Sequence, residues 1–303
     1  MSLPLARIVV GPADAPTLIL LHGITGSAIS QADAIDHWVA RGYRVVAADA
    51  RGHGLSPRWT SAQLARAGDV LVDDVIDLLE ELCPTPSAAS GEVGREPSPS
   101  LPPGAGAGSL AGGRAGSVPA DPGRRPVLIG HSMGAATAMV VALRHPELVS
   151  GAVLLDPARY GSRTPQELLE RGAARKRARA AELADLPGTV TRALADPEMP
   201  VAEAVAGVWA SQRVDPALLD TGVVAPPVPW EEAMAALTVP TLLVTGDRPG
   251  SARVGPAGLD LLDRIANPHV ETALVPGAGH DVRRTRPDGF WAAVDPWLER
   301  LLR

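Results

Sequence analysis

Cysteine is nearly absent from this chain, and the single residue, Cys83, excludes an internal disulfide. The sequence therefore fits a reducing compartment, and we expect a cytoplasmic protein. Aromatic residues are also few, with six Trp, two Tyr and one Phe in 303 residues. Any pocket must therefore be lined mainly by aliphatic side chains.

An excess of basic residues and a long apolar run are missing as well. The net charge is −6 and the pI is near 5.7, which argues against nucleic acid or an anionic membrane as a partner. The first residues, MSLPLARIVVGPADAP, contain no basic segment. Their apolar run is too short for a signal peptide or a membrane span. We therefore expect a globular protein that acts on a small molecule.

Short apolar runs alternate with helical patterns along the chain. The runs lie at 7–10, 17–21, 44–48, 127–129, 152–155, 241–245 and 270–275. Because they are continuous, without in–out alternation, they suit strands buried on both faces of a parallel sheet. Helical patterns lie at 31–41, 61–82, 134–145, 257–266 and 288–302. This order predicts a doubly wound α/β sheet, in which chemistry occurs at the carboxyl ends of the strands.

One segment that breaks the alternation is 84–125, in which 30 of 42 residues are Pro, Gly, Ser or Ala. Such a composition cannot bury enough apolar surface to offset its ordering entropy, so we predict a disordered insertion. It joins the end of a helix to the start of a strand and should lie far from the carboxyl edge. A linker between two domains is the alternative, but the strands on either side belong to one alternating pattern.

A second segment, 157–236, is helical in pattern and contains no convincing strand. It begins at the carboxyl end of a strand, so we predict a helical cap over that edge. The α/β core would then comprise 1–156 and 237–303. A basic stretch within the cap, 175–179, is interpreted as a solvated helix face rather than a nucleic-acid patch.

Ser132 stands in the frame Gly130-His131-Ser132-Met133-Gly134, between a buried strand and a helix. A strand–turn–helix setting is what a G-x-S-x-G match requires of a nucleophile. The tight turn needs very small flanking residues, and the helix N-terminus supplies N–H groups where an oxyanion would form. Ser132 is therefore the candidate nucleophile, with a glycine-softened loop as the alternative.

A serine hydroxyl needs a base, and His280 is the candidate among seven histidines. It follows the last predicted strand on a glycine-rich loop and so emerges at the carboxyl edge. His131 should point away from the hydroxyl. We interpret His37, His145 and His269 as surface or packing residues.

The histidine in turn needs a carboxylate that fixes its tautomer. Asp247 and Asp156 each end a predicted strand at the carboxyl edge. We favour Asp247, because the order Ser132, Asp247, His280 is the order associated with this kind of elbow. Asp156 stays open as the rival.

The oxyanion hole needs two N–H donors. The backbone N–H of Met133 follows from the elbow geometry. The second is assigned to Ile24, in the stretch HisGlyIleThrGly at 22–26 that follows a predicted strand. His22 is expected to brace this loop rather than to react.

Together these motifs resemble those of the α/β-hydrolase fold family, and they span nearly the whole chain outside the insertion and the cap. The matching stretches are HisGlyIleThrGlySer (22–27), AspAlaArgGlyHisGlyLeuSer (49–56), GlyHisSerMetGly (130–134), ValProThrLeuLeuValThrGlyAsp (239–247) and GlyAlaGlyHis (277–280). The resemblance implies an eight-stranded type of sheet. It implies Ser132 as nucleophile, His280 as base and Asp247 as acid, with Ile24 and Met133 as oxyanion amides. Trp59, beside a structural loop, could reach the pocket.

A serine at the nucleophile position implies acyl transfer rather than the chemistry of family members with a carboxylate nucleophile. We expect a hydrolase of small or medium carboxylic esters or lactones that uses no cofactor and no metal. The alternatives are a C–C bond hydrolase of a dienoic keto acid and a non-catalytic ligand-binding member of the fold.

Overall fold

The computed structural model describes residues 4–83, 125–159, 163–223 and 225–303. One mixed sheet organises this part of the chain. Its strands are β1 (Arg7–Val10), β2 (Thr17–Leu21), β3 (Arg44–Ala48), β4 (Val127–His131), β5 (Gly151–Leu155), β6 (Thr241–Gly246) and β7 (Val270–Val275). Every apolar run that the sequence marks as a strand forms one.

The strands lie in the order β1-β3-β2-β4-β5-β6-β7. All neighbours are parallel except β1, which pairs antiparallel with β3 at one edge. The predicted doubly wound, mostly parallel sheet is confirmed, with seven strands in the described residues. Because the chain moves outward from β2 in one direction and from β4 in the other, the loops after these two strands meet at the centre of the carboxyl edge.

Helices cover both faces of the sheet. They are α1 (Ala32–Val39), α2 (Ser61–Leu64), α3 (Ala67–Leu82), α4 (Met133–Arg144), α5 (Pro165–Ala184), α6 (Leu186–Ala195), α7 (Val201–Gln212), α8 (Pro216–Asp220), α9 (Trp230–Ala236), α10 (Gly255–Ile265), α11 (Val282–Thr285) and α12 (Pro287–Leu301). Short 3₁₀ turns occur at Ile29–Gln31 and Pro146–Leu148.

Two apolar clusters form the core, one on each face of the sheet. One packs α3, α4 and α10 against alternate residues of the strands, and the other packs α1 and α12 against the remaining residues. Strands β2, β3, β5 and β6 are buried along their whole length, which explains why their sequences lack in–out alternation.

The helix predicted at 61–82 is divided into α2 and α3. Thr60 and Gln63 form a capping box that starts α2, and Arg66 leaves the helical conformation with φ −134° and ψ 38°. The restart brings Gly68 against Pro227, where a β-carbon would lie 2.6 Å from the proline Cδ. The break therefore accommodates a close approach between distant segments.

The predicted insertion at 84–125 lies outside the described residues, apart from Arg125. Its two flanking elements are described: α3 ends at Leu82, and β4 begins at Val127. The chain therefore re-enters the sheet at the amino end of β4, while Ser132 follows its carboxyl end.

The segment 157–236 contains helices α5 to α9, and no strand occurs among its described residues. Thr164 and Glu167 form a capping box at the start of α5, and Asp185 accepts a hydrogen bond from Gly188 N at the start of α6. No helix of the described chain combines the length and apolarity that crossing a bilayer requires.

Candidate active site

Ser132 occupies the sharp turn between β4 and α4, with φ of 52° and ψ of −111°. A β-carbon at Gly130 would lie 2.4 Å from Gly134 O, and one at Gly134 would lie 2.2 Å from Leu21 O. Only glycine fits at these two positions, as the sequence predicts. The strained turn leaves the Ser132 hydroxyl at the carboxyl edge, above the N-terminus of α4.

His280 follows β7 and approaches Ser132 from the neighbouring side of the sheet edge. The Ser132 hydroxyl donates to His280 Nε2 at an Oγ–Nε2 distance of 2.9 Å. The structure thus brings together the predicted nucleophile and base. The hydroxyl proton lies within direct reach of the imidazole, as general base catalysis requires.

The carboxylate beside His280 belongs to Asp156 rather than to Asp247, which corrects the preference drawn from the sequence. His280 Nδ1–H donates to Asp156 Oδ2 at 2.6 Å. Asp156 follows β5, and its φ of 40° turns the side chain towards the histidine. The Ser132–His280–Asp156 chain of hydrogen bonds is the arrangement that generates a nucleophilic alkoxide in acyl transfer.

Asp156 is completely buried, yet it remains ionised. Burial alone would raise the pKa of Asp156. Hydrogen bonds from His280, Thr245 Oγ1 and the backbone N–H groups of Val254 and Arg253 outweigh burial, so the pKa lies below its usual value. The carboxylate can therefore stabilise a protonated His280.

Asp247 has a different position, one residue beyond the end of β6. Its Oδ1 accepts from Gly277 N at 2.7 Å, in the loop that leads to His280. Gly246 packs so closely against this loop that a β-carbon would lie 2.1 Å from Ala278 O. Asp247 therefore holds the backbone that carries the histidine and does not contact its ring.

The two predicted oxyanion amides lie on either side of the nucleophile. Met133 is the first residue of α4, so its N–H has no acceptor within the helix. The loop that carries Ile24 lies against the elbow, since a β-carbon on Gly23 would be 3.4 Å from Ser132 Cβ. Among the described residues, no hydrogen-bond acceptor is assigned to Ile24 N–H.

His22 braces this loop, as expected from the sequence. Its Nδ1–H donates to Gly23 O at 2.7 Å, and its Nε2 accepts from Ala50 N at 3.0 Å. Burial lowers the pKa of His22 to about 3, so the ring is neutral. The Gly23 carbonyl and the Ile24 N–H belong to one trans peptide, so His22 also sets the direction of that N–H.

His131 points away from the Ser132 hydroxyl, and its Nε2–H donates to His280 O at 3.1 Å. Burial lowers the pKa of His131 to about 4. A neutral ring next to His280 does not compete electrostatically with protonation of that base. No motif around His131 predicts this backbone contact.

The other histidines with side-chain partners in the described residues contact groups other than Ser132, and His53 has a role that the sequence did not reveal. His37 stacks on Trp291 and contacts Asp295, while His145 is exposed beside Glu147. His53 is buried, and its ring nitrogens face the carbonyl oxygens of Ile24 and Arg51. It therefore holds the loop that carries Ile24, next to His22, whose ring centroid lies 5.0 Å from that of His53.

A cavity of about 570 Å³ opens at Ser132 and His280. Its walls come from the loops of the carboxyl edge and from α5 to α7, so the segment predicted to cover this edge does line it. Trp59 is buried against Gly52 and is not among the described lining residues. The interpretation of 175–179 as a solvated face holds for the exposed Arg177 and is wrong for Arg175 and Arg179, which line the cavity.

Comparison with known proteins identifies the family. A model of the alpha/beta hydrolase family matches residues 18–293. The chain belongs to this family. Its match therefore extends from β2 into α12 and includes the elbow, the helical segment and the histidine loop.

Individual relatives cover almost the whole chain. The mouse (Mus musculus) sn-1-specific diacylglycerol lipase ABHD11 is 27% identical over 98% of this chain and 85% of its own length. The structure of a thermophilic esterase from Thermogutta terrifontis superposes with a TM-score of 0.65 at 18% identity, covering 99% and 94% of the two chains. An enol-lactonase from Burkholderia xenovorans LB400 superposes with a TM-score of 0.64 at 18% identity, covering 97% and 96%.

Proposed function

We propose that this protein is a serine hydrolase that cleaves small or medium carboxylic esters or lactones through an acyl-enzyme. The observation that carries the proposal is the hydrogen-bond chain from Ser132 Oγ to His280, at 2.9 Å, and on to Asp156, at 2.6 Å. The buried carboxylate of Asp156 accepts from His280 Nδ1–H and so supports the imidazolium that forms when His280 takes the Ser132 proton.

In the first half of the reaction, Ser132 Oγ attacks the substrate carbonyl while His280 Nε2 takes the hydroxyl proton. The negative charge that develops on the carbonyl oxygen is stabilised by the N–H groups of Ile24 and Met133. His280 then gives its proton to the leaving alcohol oxygen, and the acyl group remains on Ser132. Asp156 stabilises the imidazolium throughout this step.

In the second half, His280 removes a proton from water, and the resulting hydroxide attacks the acyl-enzyme carbonyl. Collapse of the second tetrahedral intermediate returns the proton to Ser132 and releases a carboxylic acid. None of these steps calls for a cofactor or a metal. The helices α5 to α7 would act as a cap that selects the substrate.

The relatives described above support an ester or lactone bond as the target. The mouse relative is called a diacylglycerol lipase, and two structural neighbours are called an esterase and an enol-lactonase. The first of these acts on a lipid ester and the last on a cyclic ester, so the shared chemistry is cleavage of an acyl–oxygen bond.

A panel of p-nitrophenyl esters of increasing acyl length tests this proposal. We expect measurable turnover that falls to background in Ser132→Ala, with folding confirmed by circular dichroism. Absence of turnover across the whole panel in folded wild-type protein would contradict it.

Hydrolysis of a C–C bond in a dienoic keto acid is a second candidate, favoured by the arginines that line the cavity. Such a substrate carries a carboxylate, which a guanidinium binds well. Turnover of a dienoic keto acid without turnover of any ester would select this reaction. Binding of either substrate without turnover would instead indicate a non-catalytic member of the fold.

A further inference from the structure

The wall of the cavity is strongly basic, although the chain as a whole has a net charge of −6. Two carboxylates, Glu182 and Asp281, line it together with eight arginines. These arginines are Arg159, Arg163, Arg171, Arg175, Arg179, Arg253, Arg283 and Arg284. The positive charge is therefore concentrated around the candidate nucleophile.

Two of these arginines already have carboxylate partners. Arg283 and Arg284 both bind the fully buried Glu203, at 2.8 Å and 2.7 Å. Arg284 also binds Asp281 at 3.0 Å, so one of the two lining carboxylates is neutralised as well. These side chains hold α7 against α11 and are not available to a ligand.

Two further arginines are occupied by backbone carbonyls. Arg179 donates from Nε to Ser211 O at 2.6 Å, and Arg159 donates from Nη2 to Arg253 O at 3.0 Å. Arg159 also lies over the Trp230 ring, 5.1 Å from its centroid. Glu182, the other lining carboxylate, accepts from Ser211 Oγ at 3.1 Å.

Arg171 and Arg175 differ from all of these. They lie one turn apart on α5, and both face the cavity. Within the described chain, neither guanidinium forms an ion pair with a carboxylate or a hydrogen bond to any other group. Burial lowers the pKa of both, and repulsion from Arg163 and Arg253 lowers it further. Arg175 is half-buried, whereas Arg171 is more exposed. The charges that act on both guanidiniums are those of other arginines, so both favour an anion in the cavity.

Arg253 connects this pair to the reaction centre. Its backbone N–H donates to Asp156 Oδ2 at 2.8 Å, so the residue lies directly beside the candidate triad. Its side chain lines the same cavity and has no carboxylate within ion-pair distance in the described residues. Three guanidiniums thus face one space, between α5 and the acid of the triad.

We propose that Arg171, Arg175 and Arg253 form a binding site for a carboxylate on the substrate, remote from the bond that is cleaved. The inference rests on the proposed function and specifies its substrate class, namely esters or lactones that carry a free carboxylate. Guanidinium groups bind carboxylates through paired, charge-assisted hydrogen bonds. A phosphate group presents similar oxygens, so the test must distinguish the two anions.

The decisive substrates are mono-p-nitrophenyl adipate and its methyl ester, which share the leaving group and the acyl chain and differ in the terminal charge. We expect kcat/KM to be at least about tenfold higher for the charged ester, because hydrogen bonds to charged groups contribute that much or more. Equal kcat/KM for the two esters would overturn the proposal.

The double variant Arg171→Gln/Arg175→Gln tests the assignment of residues. It should lower kcat/KM for the charged ester at least about tenfold, mainly through KM, and change the methyl ester by less than about twofold. Arg177→Gln is the matched control, because Arg177 lies on the same helix but is exposed and outside the cavity. An equal loss on both esters would indicate a structural role and would overturn the assignment.

Binding of adipate to Ser132→Ala, measured by calorimetry, tests the arginines without turnover. The proposal predicts binding that weakens at least about tenfold in the double variant and that exceeds binding of inorganic phosphate. No adipate binding, or tighter binding of phosphate, would overturn it. If Ser132→Ala binds adipate but the wild-type protein hydrolyses no ester, the result would contradict the proposed function and leave the carboxylate site standing.

Discussion

Two residues at the carboxyl edge have positive φ angles, which residues other than glycine rarely adopt. Ser132 has φ of 52° and Asp156 has φ of 40°. Such conformations cost on the order of 1–3 kcal/mol each and persist only where the surrounding structure enforces them. Ser132 N–H bonds to Leu155 O, and Asp156 N–H bonds to Val244 O, so neighbouring strands hold both residues in place. The strain directs both side chains at His280.

Matched substitutions distinguish Asp156 from Asp247 as the carboxylate that orients His280. Asp156→Asn should lower kcat about 10³-fold or more, because an amide cannot serve as the anionic acceptor for His280 Nδ1–H. Asp247→Asn should retain kcat within about tenfold, since Asn Oδ1 can still accept from Gly277 N. Steady-state kinetics of the two matched variants decides between them. A larger loss in Asp247→Asn would contradict the assignment of the acid.

Most of the site follows from the sequence, and the acid shows where such reasoning fails. Ser132, His280, Ile24 and Met133 belong to short motifs whose geometry is local. Asp156 and Asp247 both follow buried strands at the same edge, so the local sequence does not show which of them contacts His280. The difference is made by contacts with Thr245, Val254 and His280, 89 to 124 residues further along the chain. The cluster of Arg171, Arg175 and Arg253 likewise cannot be predicted from the sequence, because it forms only when α5 packs over the carboxyl edge.

Among the elements, α7 and α11 are joined by a buried ionic contact next to the candidate base. Glu203 on α7 is 0% exposed and binds both Arg283 and Arg284 on α11, which begins two residues after His280. Arg284 also donates to Ser30 O at 2.9 Å, before α1. The helical segment is therefore attached to the histidine loop through specific charges.

Removing the shared carboxylate should therefore weaken the fold. Glu203→Ala leaves two largely buried guanidiniums without their main partner, and we expect the free energy of unfolding to fall by about 3 kcal/mol. Urea titration followed by tryptophan fluorescence measures the change. Asp220→Ala, which removes the exposed pair with Lys176, is the control and should cost less than about 1 kcal/mol. Equal effects of the two changes would contradict the role of Glu203.

Helices that pack on the sheet are predictable where their apolar residues repeat with the helical period, as in α1 and α12. The arrangement of α5 to α9 is not, because few of their residues enter the core and polar contacts fix their positions. Gly172, for example, approaches Leu219 O so closely that a β-carbon would lie 2.0 Å away. Nothing in the sequence around Gly172 announces that contact.

For the whole molecule, buried neutral histidines make stability depend on pH. The pKa is lowered to about 3 for His22 and about 4 for His131, from an ordinary value of 6.5. Below pH 6.5 these histidines bind protons in the unfolded chain but not in the folded chain, so the folded state becomes less stable as the pH falls. Between pH 6 and pH 4.5, each histidine should lower the free energy of unfolding by about 1.4 kcal/mol for every unit that the pH falls.

Urea titrations at several pH values test this dependence. In the same window the carboxyls of Asp156 and Asp281 stay ionised, because the pKa of each lies below its usual value. His131→Gln should therefore reduce the slope of the free energy of unfolding against pH by about one histidine's contribution. A stability that does not vary between pH 6.5 and pH 4.5 would contradict the neutral state of both buried rings.

For the whole molecule, we propose that the loops after β2, β4, β5 and β7 meet at the carboxyl edge and make Ser132 a nucleophile. Labelling with a fluorophosphonate probe, read by intact mass and peptide mapping, tests it most directly. We expect stoichiometric modification of Ser132 that disappears in Ser132→Ala and slows strongly in Asp156→Asn. A folded wild-type protein that the probe leaves unmodified would contradict it.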